Sequence, residues 1–169
     1  DAQESRGLGD VYKRQELDVS FDSIYGPAYK GIFLASIIGT SLGESDLDIP
    51  ISFNRKEEKD HGEGGDIIGQ LPSGNVLIVD DVISAGTAAR ESIEKIKSIG
   101  ANPKVMLVGL DRQEKGSSEI SAKAELENDF GLTVSSIVNL DLLISFVSDD
   151  PNFKEFKSDL EEYRSNWGA

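Results

Sequence analysis

The chain has 169 residues, of which 38% are hydrophobic and 28% charged, and its 31 acidic side chains outnumber 17 basic ones for a net charge of −14. That length suits one domain with its own core. The negative field argues against nucleic-acid binding through a broad basic face, and no apolar stretch approaches the ~18 residues of a membrane span. The absence of cysteine fits a reducing compartment. We therefore expect a cytoplasmic domain that binds neither nucleic acid nor membrane.

The first fifteen residues, Asp1 to Gln15, differ from the rest of the chain. They show neither helical nor strand periodicity, and the run from Asp10 to Gln15 resembles the translation of a transposon adaptor end. A native disordered tail is the alternative interpretation. In either case we exclude 1–15 from the fold and expect one domain over residues 16–169.

From residue 16 onward, the predicted strands and helices alternate. In chain order they are the strand Phe21–Tyr25, the helix Ala28–Leu42, the strand Asp48–Phe53, the polar loop Asn54–Gly65, the strands Ile67–Ile68 and Asn75–Val79, the helix Thr87–Ile99, the strand Pro103–Leu110, the helix Ser118–Phe130, the strand Thr133–Val138, the helix Leu140–Val147 and a last helix with Pro151 in its first turn. Strands that are apolar on both faces and separated by helices indicate a mainly parallel sheet covered on both sides. The sequence therefore predicts a doubly wound α/β domain.

The most informative segment begins with an apolar strand that ends in two adjacent carboxylates, Asp80 and Asp81. Open α/β sheets bind ligands at this end of their strands. The following turn, Ser84-Ala85-Gly86-Thr87, opens a helix, and its bare N–H groups, its hydroxyls and the helix dipole favour an anion. Two carboxylates suit the vicinal hydroxyls of a sugar better than a phosphate. The pattern therefore indicates a sugar phosphate, the alternative being a plain strand end followed by a helix cap.

This segment resembles the phosphoribosyl-diphosphate signature of type I phosphoribosyltransferases. The resemblance implies that Asp80 and Asp81 hold the ribose hydroxyls and act in catalysis, and that the turn holds the 5-phosphate. The further binding positions that it implies are Val82, Ile83, Ser84, Ala85, Gly86, Thr87 and Ala88. Ser84 stands where the family commonly has threonine, and because the hydroxyl is retained we expect little loss.

A second candidate feature is the loop Asn54–Gly65, which places three cations and the only histidine of the chain within twelve residues. Its glycines allow large backbone excursions. A departing diphosphate develops negative charge that arginine, lysine and histidine can stabilise, and a closing loop would also exclude water. The four acids among these cations leave a merely solvated loop as the alternative.

The same loop resembles the catalytic loop specific to orotate phosphoribosyltransferases. The resemblance implies that Arg55, Lys59 and His61 approach the diphosphate, with Lys59 and His61 as catalytic groups. It also implies that Lys56 reaches into the neighbouring subunit's site, and hence a homodimer. Other members of the larger family have different loops at this point.

Two shorter segments follow strands at the same edge. Gly26-Pro27-Ala28-Tyr29-Lys30 opens a helix and resembles the family's diphosphate-contacting segment, with Tyr29 and Lys30 as binding positions. Arg112 follows the strand Pro103–Leu110 and could pair bidentately with a carboxylate. The resemblance implies that Arg112 and Ser84 contact orotate. A proline near a helix start and a surface arginine are the respective alternatives.

The resemblance runs from Glu16 onward and implies transfer of the phosphoribosyl group from 5-phosphoribosyl 1-diphosphate to orotate, giving orotidine 5'-monophosphate and diphosphate in pyrimidine biosynthesis. Mg²⁺ is expected on diphosphate, ribose and water oxygens, without a direct protein ligand. A purine or uracil phosphoribosyltransferase, a non-catalytic module that binds phosphoribosyl diphosphate, and an inactive truncated fragment are the alternatives. Nothing before Glu16 resembles the family's N-terminal hood, so we expect an exposed apolar surface near Phe21–Ile24.

Overall fold

A six-stranded sheet forms the centre of the fold in the computed structural model, which describes residues 20–55 and 66–169. The strands are β1 (Ser23–Tyr25), β2 (Ile51–Asn54), β3 (Ile67–Gly69), β4 (Asn75–Ile83), β5 (Asn102–Asp111) and β6 (Thr133–Asn139). Their order is β3-β2-β1-β4-β5-β6. Neighbouring strands are parallel, except that β3 runs antiparallel to β2. The prediction of a mainly parallel, doubly wound sheet is confirmed.

Helices cover both faces of this sheet. They are α1 (Lys30–Gly43), α2 (Thr87–Ser98), α3 (Ala122–Phe130), α4 (Leu140–Asp149) and α5 (Lys157–Trp167), with a 3₁₀ turn at Lys154–Phe156. Successive residues of β4 enter different clusters: Ile78 packs with residues of α2 and α3, whereas Leu77 packs with residues of α1. This alternation follows from the two-residue period of a strand. It explains why β4 is apolar without interruption from Val76 to Val79.

Several elements begin later than the sequence predicted, and two helices differ most. The helix expected from Ser118 begins at Ala122, with the Ser121 hydroxyl accepting a hydrogen bond from Ala124 N at 3.2 Å. Ser118 N and Oγ instead donate to the carboxylate of Glu125, both at 2.6 Å. The last helix begins at Lys157 rather than near Pro151.

The strand β4 is longer than predicted and continues through both aspartates to Ile83. It remains paired there with β5, since Asp80 lies beside Val108 and Ile83 beside Asp111. The predicted loop Asn54–Gly65 contributes its first residue to β2, and residues 56–65 lie outside the described part of the chain. The leader predicted at residues 1–15 also lies outside it.

The apolar surface expected near Phe21–Ile24 was placed wrongly. Ile24 is fully buried, because its side chain packs in one cluster with Ala35 and Leu42 of α1. Large exposed apolar side chains lie elsewhere, for example Phe33 and Ile37 on α1, which are 70% and 62% exposed. Among the described residues, no helix has the length and apolar character needed to cross a membrane.

Candidate active site

The two adjacent aspartates lie at the carboxyl end of β4, where the sheet leaves them half-buried. Asp81 N donates a hydrogen bond to Asp80 Oδ1 at 2.8 Å. Burial raises the pKa of Asp80 to about 6, and the neighbouring carboxylate of Asp81 adds to this rise. Two acids in contact do not ionise independently. Asp80 and Asp81 therefore offer oxygen acceptors, and the ionisation of each depends on that of the other and on nearby charges.

Lys30 reaches this pair from the first turn of α1, and its Nζ lies 2.6 Å from Asp81 Oδ2. The approach depends on Gly31, since a Cβ there would lie 2.6 Å from the carbonyl oxygen of Val79. Burial alone would raise the pKa of Asp81, but the hydrogen bonds with Lys30 and Asp80 and the charge of Lys30 together outweigh it, and the pKa is lowered. The same hydrogen bond raises the pKa of Lys30, whose side chain stays 76% exposed. Sequence reasoning placed both residues in the site without pairing them.

The small-residue turn lies between β4 and α2. Gly86 has φ +82° and is the N-cap of α2, a left-handed conformation that glycine adopts without strain. No side chain within the described residues caps this helix start, and Ala85, Thr87 and Ala88 are exposed. The first N–H groups of α2 are therefore open to a ligand, and the helix dipole favours an anion there.

The carboxyl end of β2 adjoins the segment that precedes α1. Asn54 Oδ1 accepts a hydrogen bond from Ala28 N at 2.8 Å, a contact that sequence reasoning missed because it joins residues 26 positions apart. Tyr29 follows and is 61% exposed. Arg55 is also exposed, and its N donates to Asp66 O at 2.8 Å. The predicted residues Lys56, Lys59 and His61 lie outside the described residues.

Arg112 directly follows β5, and its backbone N donates to Ile83 O at 3.2 Å, next to Ser84. Its Nη1 lies 3.3 Å from Glu114 Oε1 and 3.4 Å from the Tyr163 hydroxyl. The hydrogen bond to Glu114 is the main cause that raises the pKa of Arg112. The positive charge of Arg112 in turn slightly opposes protonation of Lys30. Lys30 and Arg112 are therefore close enough at this edge of the sheet for their charges to interact.

The fold and the site together define a type I phosphoribosyltransferase: an open, mainly parallel sheet whose central strand carries two acids near its carboxyl end and is followed by a turn of small residues. A model of the phosphoribosyl transferase domain matches residues 10–126. The chain is 46% identical over 165 residues to an orotate phosphoribosyltransferase of Marinobacter nauticus, an alignment that covers 98% of this chain and 77% of the relative. Against the orotate phosphoribosyltransferase of Pseudomonas savastanoi pv. phaseolicola the identity is 49% over 154 residues, covering 90% and 72%.

A solved structure supports the same assignment. The orotate phosphoribosyltransferase of Francisella tularensis superposes with a TM-score of 0.75 at 32% identity, covering 96% of this chain and 78% of that one. The chain belongs to the orotate phosphoribosyltransferase family. It is thus a pentosyltransferase of pyrimidine biosynthesis that forms orotidine 5'-monophosphate from orotate and phosphoribosyl diphosphate. The reaction predicted from the sequence is confirmed.

Proposed function

We propose that the transfer takes place at the carboxyl edge of β1, β4 and β5. Asp80 and Asp81 would accept hydrogen bonds from the ribose hydroxyls, the turn before α2 would hold the 5-phosphate, and Arg112 with Ser84 would bind orotate. One observation carries this proposal: a half-buried carboxylate pair, an uncapped helix start and two cations lie at one edge of the sheet. Those groups match the hydroxyls, phosphates and carboxylate of the two substrates.

Catalysis at such a site would be electrostatic. As the diphosphate leaves, the ribose carbon gains oxocarbenium character, and the negative charges of Asp80 and Asp81 offset the developing positive charge. The pKa of about 6 for Asp80 leaves that group mostly ionised at pH 7. We therefore assign to the pair both the orientation of the ribose and part of the stabilisation of the transition state.

Lys30 would exchange partners when phosphoribosyl diphosphate binds. In the structure it donates to Asp81 from a side chain that is 76% exposed. Ribose hydroxyls can replace it as donors to Asp81, and its ammonium group can then turn to the diphosphate. Tyr29 would contact the diphosphate from the same segment. The roles of Arg55, Lys59 and His61 at the leaving group remain proposals from the resemblance.

The donor set at the site suits a magnesium ion that the substrate carries. Enzymes of this kind generally use Mg²⁺ with phosphoribosyl diphosphate. Among the described residues, no three acidic or histidine side chains converge as a metal site, while Asp80 and Asp81 offer the hard oxygen atoms that this ion prefers. We propose that they hold it through ribose hydroxyls and water. When bound, the ion would neutralise charge on the diphosphate.

The remaining proposals concern assembly and location. We propose a homodimer in which Lys56 reaches the neighbouring subunit's site, and a cytoplasmic enzyme, as expected for nucleotide biosynthesis. Sedimentation of the purified protein would contradict the first if it showed only a monomer. Cell fractionation would contradict the second proposal if the protein were found outside the cytoplasmic fraction.

The test of function combines calorimetry with product analysis. Phosphoribosyl diphosphate and Mg²⁺ are titrated first, orotate is added second, and orotidine 5'-monophosphate is quantified by chromatography. We expect binding of the first ligand and product with orotate but not with uracil or a purine base. In the variant Arg112→Lys, which keeps the charge and loses the planar fork, we expect a higher KM for orotate. A folded sample that binds phosphoribosyl diphosphate without turnover, or that uses only another base, would overturn the proposal.

A further inference from the structure

The guanidinium of Arg112 is held from one side only. Its Nη1 donates to Glu114 Oε1 at 3.3 Å and to the Tyr163 hydroxyl at 3.4 Å. The Tyr163 hydroxyl itself donates a hydrogen bond to the same oxygen of Glu114. Within residues 20–55 and 66–169, Nε and Nη2 of Arg112 make no hydrogen bond. Two parallel donors are therefore left for a carboxylate ligand.

Glu114 also competes with such a ligand. Its side chain is only 13% exposed, next to an Arg112 side chain that is 45% exposed, so an undivided ion pair would neutralise the arginine that orotate needs. The Tyr163 hydroxyl also donates to Oε1, so Arg112, at 3.3 Å, shares this acceptor with the tyrosine. Arg112 is thereby oriented while much of its hydrogen-bonding capacity remains.

Tyr163 lies 51 positions after Arg112, and contacts of α5 with the segment after β5 and with α4 hold it in place. Backbone hydrogen bonds join the segment after β5 to the end of α5: Lys115 N donates to Trp167 O at 3.0 Å, and Ala169 N donates to Gln113 O at 3.1 Å. A separate ion pair between Arg164 and Asp141 ties α5 to α4. The helix is thus held by contacts that do not involve the tyrosine hydroxyl.

We propose that Tyr163 is a positioning residue for orotate recognition, acting through Glu114 on the orientation of Arg112. The proposal rests on the proposed role of Arg112 and adds a residue from another part of the chain. Tyr163 need not touch the substrate. Its hydroxyl occupies part of the Glu114 carboxylate, which would otherwise bind Arg112 more fully.

The test compares steady-state kinetics of Tyr163→Phe with those of the wild type. Loss of one hydrogen bond at this network should raise the KM for orotate by about three- to tenfold, with the KM for phosphoribosyl diphosphate changed less than about twofold and Tm close to that of the wild type. The matched control is Arg164→Gln, which removes the neighbouring tether of α5 and keeps the hydroxyl. It should leave the KM for orotate unchanged. An equal rise in both variants would make helix docking the cause and overturn the proposal.

A double-mutant cycle that combines Tyr163→Phe with Glu114→Gln tests whether Tyr163 acts on Arg112 through Glu114. If Tyr163 acts through Glu114, the two effects on the KM for orotate should be non-additive; full additivity would contradict the path. The variant Arg112→Lys tests the role of Arg112 separately from that of Tyr163. If it raises the KM for orotate while Tyr163→Phe does not, the positioning role fails and the proposed role of Arg112 stands. If Arg112→Lys has no effect, the proposed site itself is wrong.

Discussion

Glu125 and Asp80 are both withdrawn from solvent, fully or in part, and respond in opposite ways. Glu125 on α3 is only 5% exposed, yet its pKa is lowered from 4.5 to about 2, chiefly by hydrogen bonds from Ser118 and Ser117. Asp80 at the end of β4 is less buried, yet burial raises its pKa from 3.8 to about 6. The exposed surface of the side chain alone therefore does not decide the charge of these acids.

The supply of hydrogen-bond donors explains the difference. Glu125 accepts from the backbone N and the hydroxyl of Ser117, both at 2.9 Å, from the same two groups of Ser118, both at 2.6 Å, and from Arg90 Nη2 at 2.8 Å. Within the described residues, the hydrogen bond that reaches Asp80 comes from Asp81 N. Donors to the ionised form favour ionisation, and burial without them opposes it.

The two acids thus serve different purposes. Glu125 is saturated, and it connects α2, through Arg90, to the segment that follows Arg112. Its fit is close, since a Cβ at Gly116 would lie 2.2 Å from Glu125 Oε2. Asp80 retains free acceptor positions, which is what a ribose with two hydroxyls requires. An under-supplied carboxylate at a strand end is therefore a signal of ligand binding.

The sharpest test of this contrast is Asp80→Asn. We expect kcat/KM for phosphoribosyl diphosphate to fall by about 100-fold, the loss typical for removing one electrostatic stabiliser of a transition state. The Tm at pH 7 should be equal or higher, because an amide avoids burial of a charge with few donors. Steady-state assays and thermal melts measure both quantities. A fall in Tm that accompanied the loss of activity would make Asp80 a structural acid and break the contrast.

The converse variant is Glu125→Gln. The amide group would place its own N–H against donors that now point at the carboxylate, so we expect Tm to fall by several degrees. Activity per folded molecule should change less than about threefold. The matched control is Glu119→Gln, since Glu119 is 89% exposed and pairs with Lys115 on the surface. The Tm of this variant should not change measurably. A large loss of activity in Glu125→Gln at unchanged Tm would assign Glu125 to the chemistry.

Local pattern was sufficient to predict the sheet and the placement of the two acids and the small-residue turn at its edge. The apolar run of β4, its two acids and the glycine at the start of α2 are contiguous, and each has a local physical cause. Helix ends were likewise marked by Gly100 and Gly131, both with positive φ. Such features depend on neighbours in the chain, so a sequence reveals them.

Contacts between distant residues could not be predicted in the same way. The Lys30–Asp81 pair joins residues 51 positions apart and requires the close approach at Gly31. The start of α3 was predicted too early, because Ser118 looks like a good helix residue until Glu125 binds it. Tyr163 carries no local signal of its contact with Glu114, which lies 49 positions earlier. In each case tertiary structure overrode or supplemented a local preference.

The smallest expected effect is that the contributions of Glu125 and Asp80 to stability change in opposite directions with pH. The lowered pKa of Glu125 means that its contribution to stability is present above the ordinary value of 4.5 and is lost as pH falls toward about 2. The raised pKa of Asp80 has the opposite consequence: stability is greatest below its ordinary value of 3.8 and is lost as pH rises through about 6.

Melts of the wild type and both variants from pH 2.5 to 7.5 make this difference measurable. The advantage of the wild type over Glu125→Gln should shrink below about pH 4.5, because the carboxylate of the unfolded chain takes up a proton there, whereas that of the folded protein stays ionised down to about pH 2. Any advantage of Asp80→Asn over the wild type should instead be largest near pH 7 and vanish near pH 4. Expressed as the Tm of the variant minus the Tm of the wild type, the difference should therefore fall with rising pH for Glu125→Gln and rise for Asp80→Asn. If it moved in the same direction for both variants, a general effect of net charge on the fold would explain it, and the supply of donors would no longer distinguish the two acids.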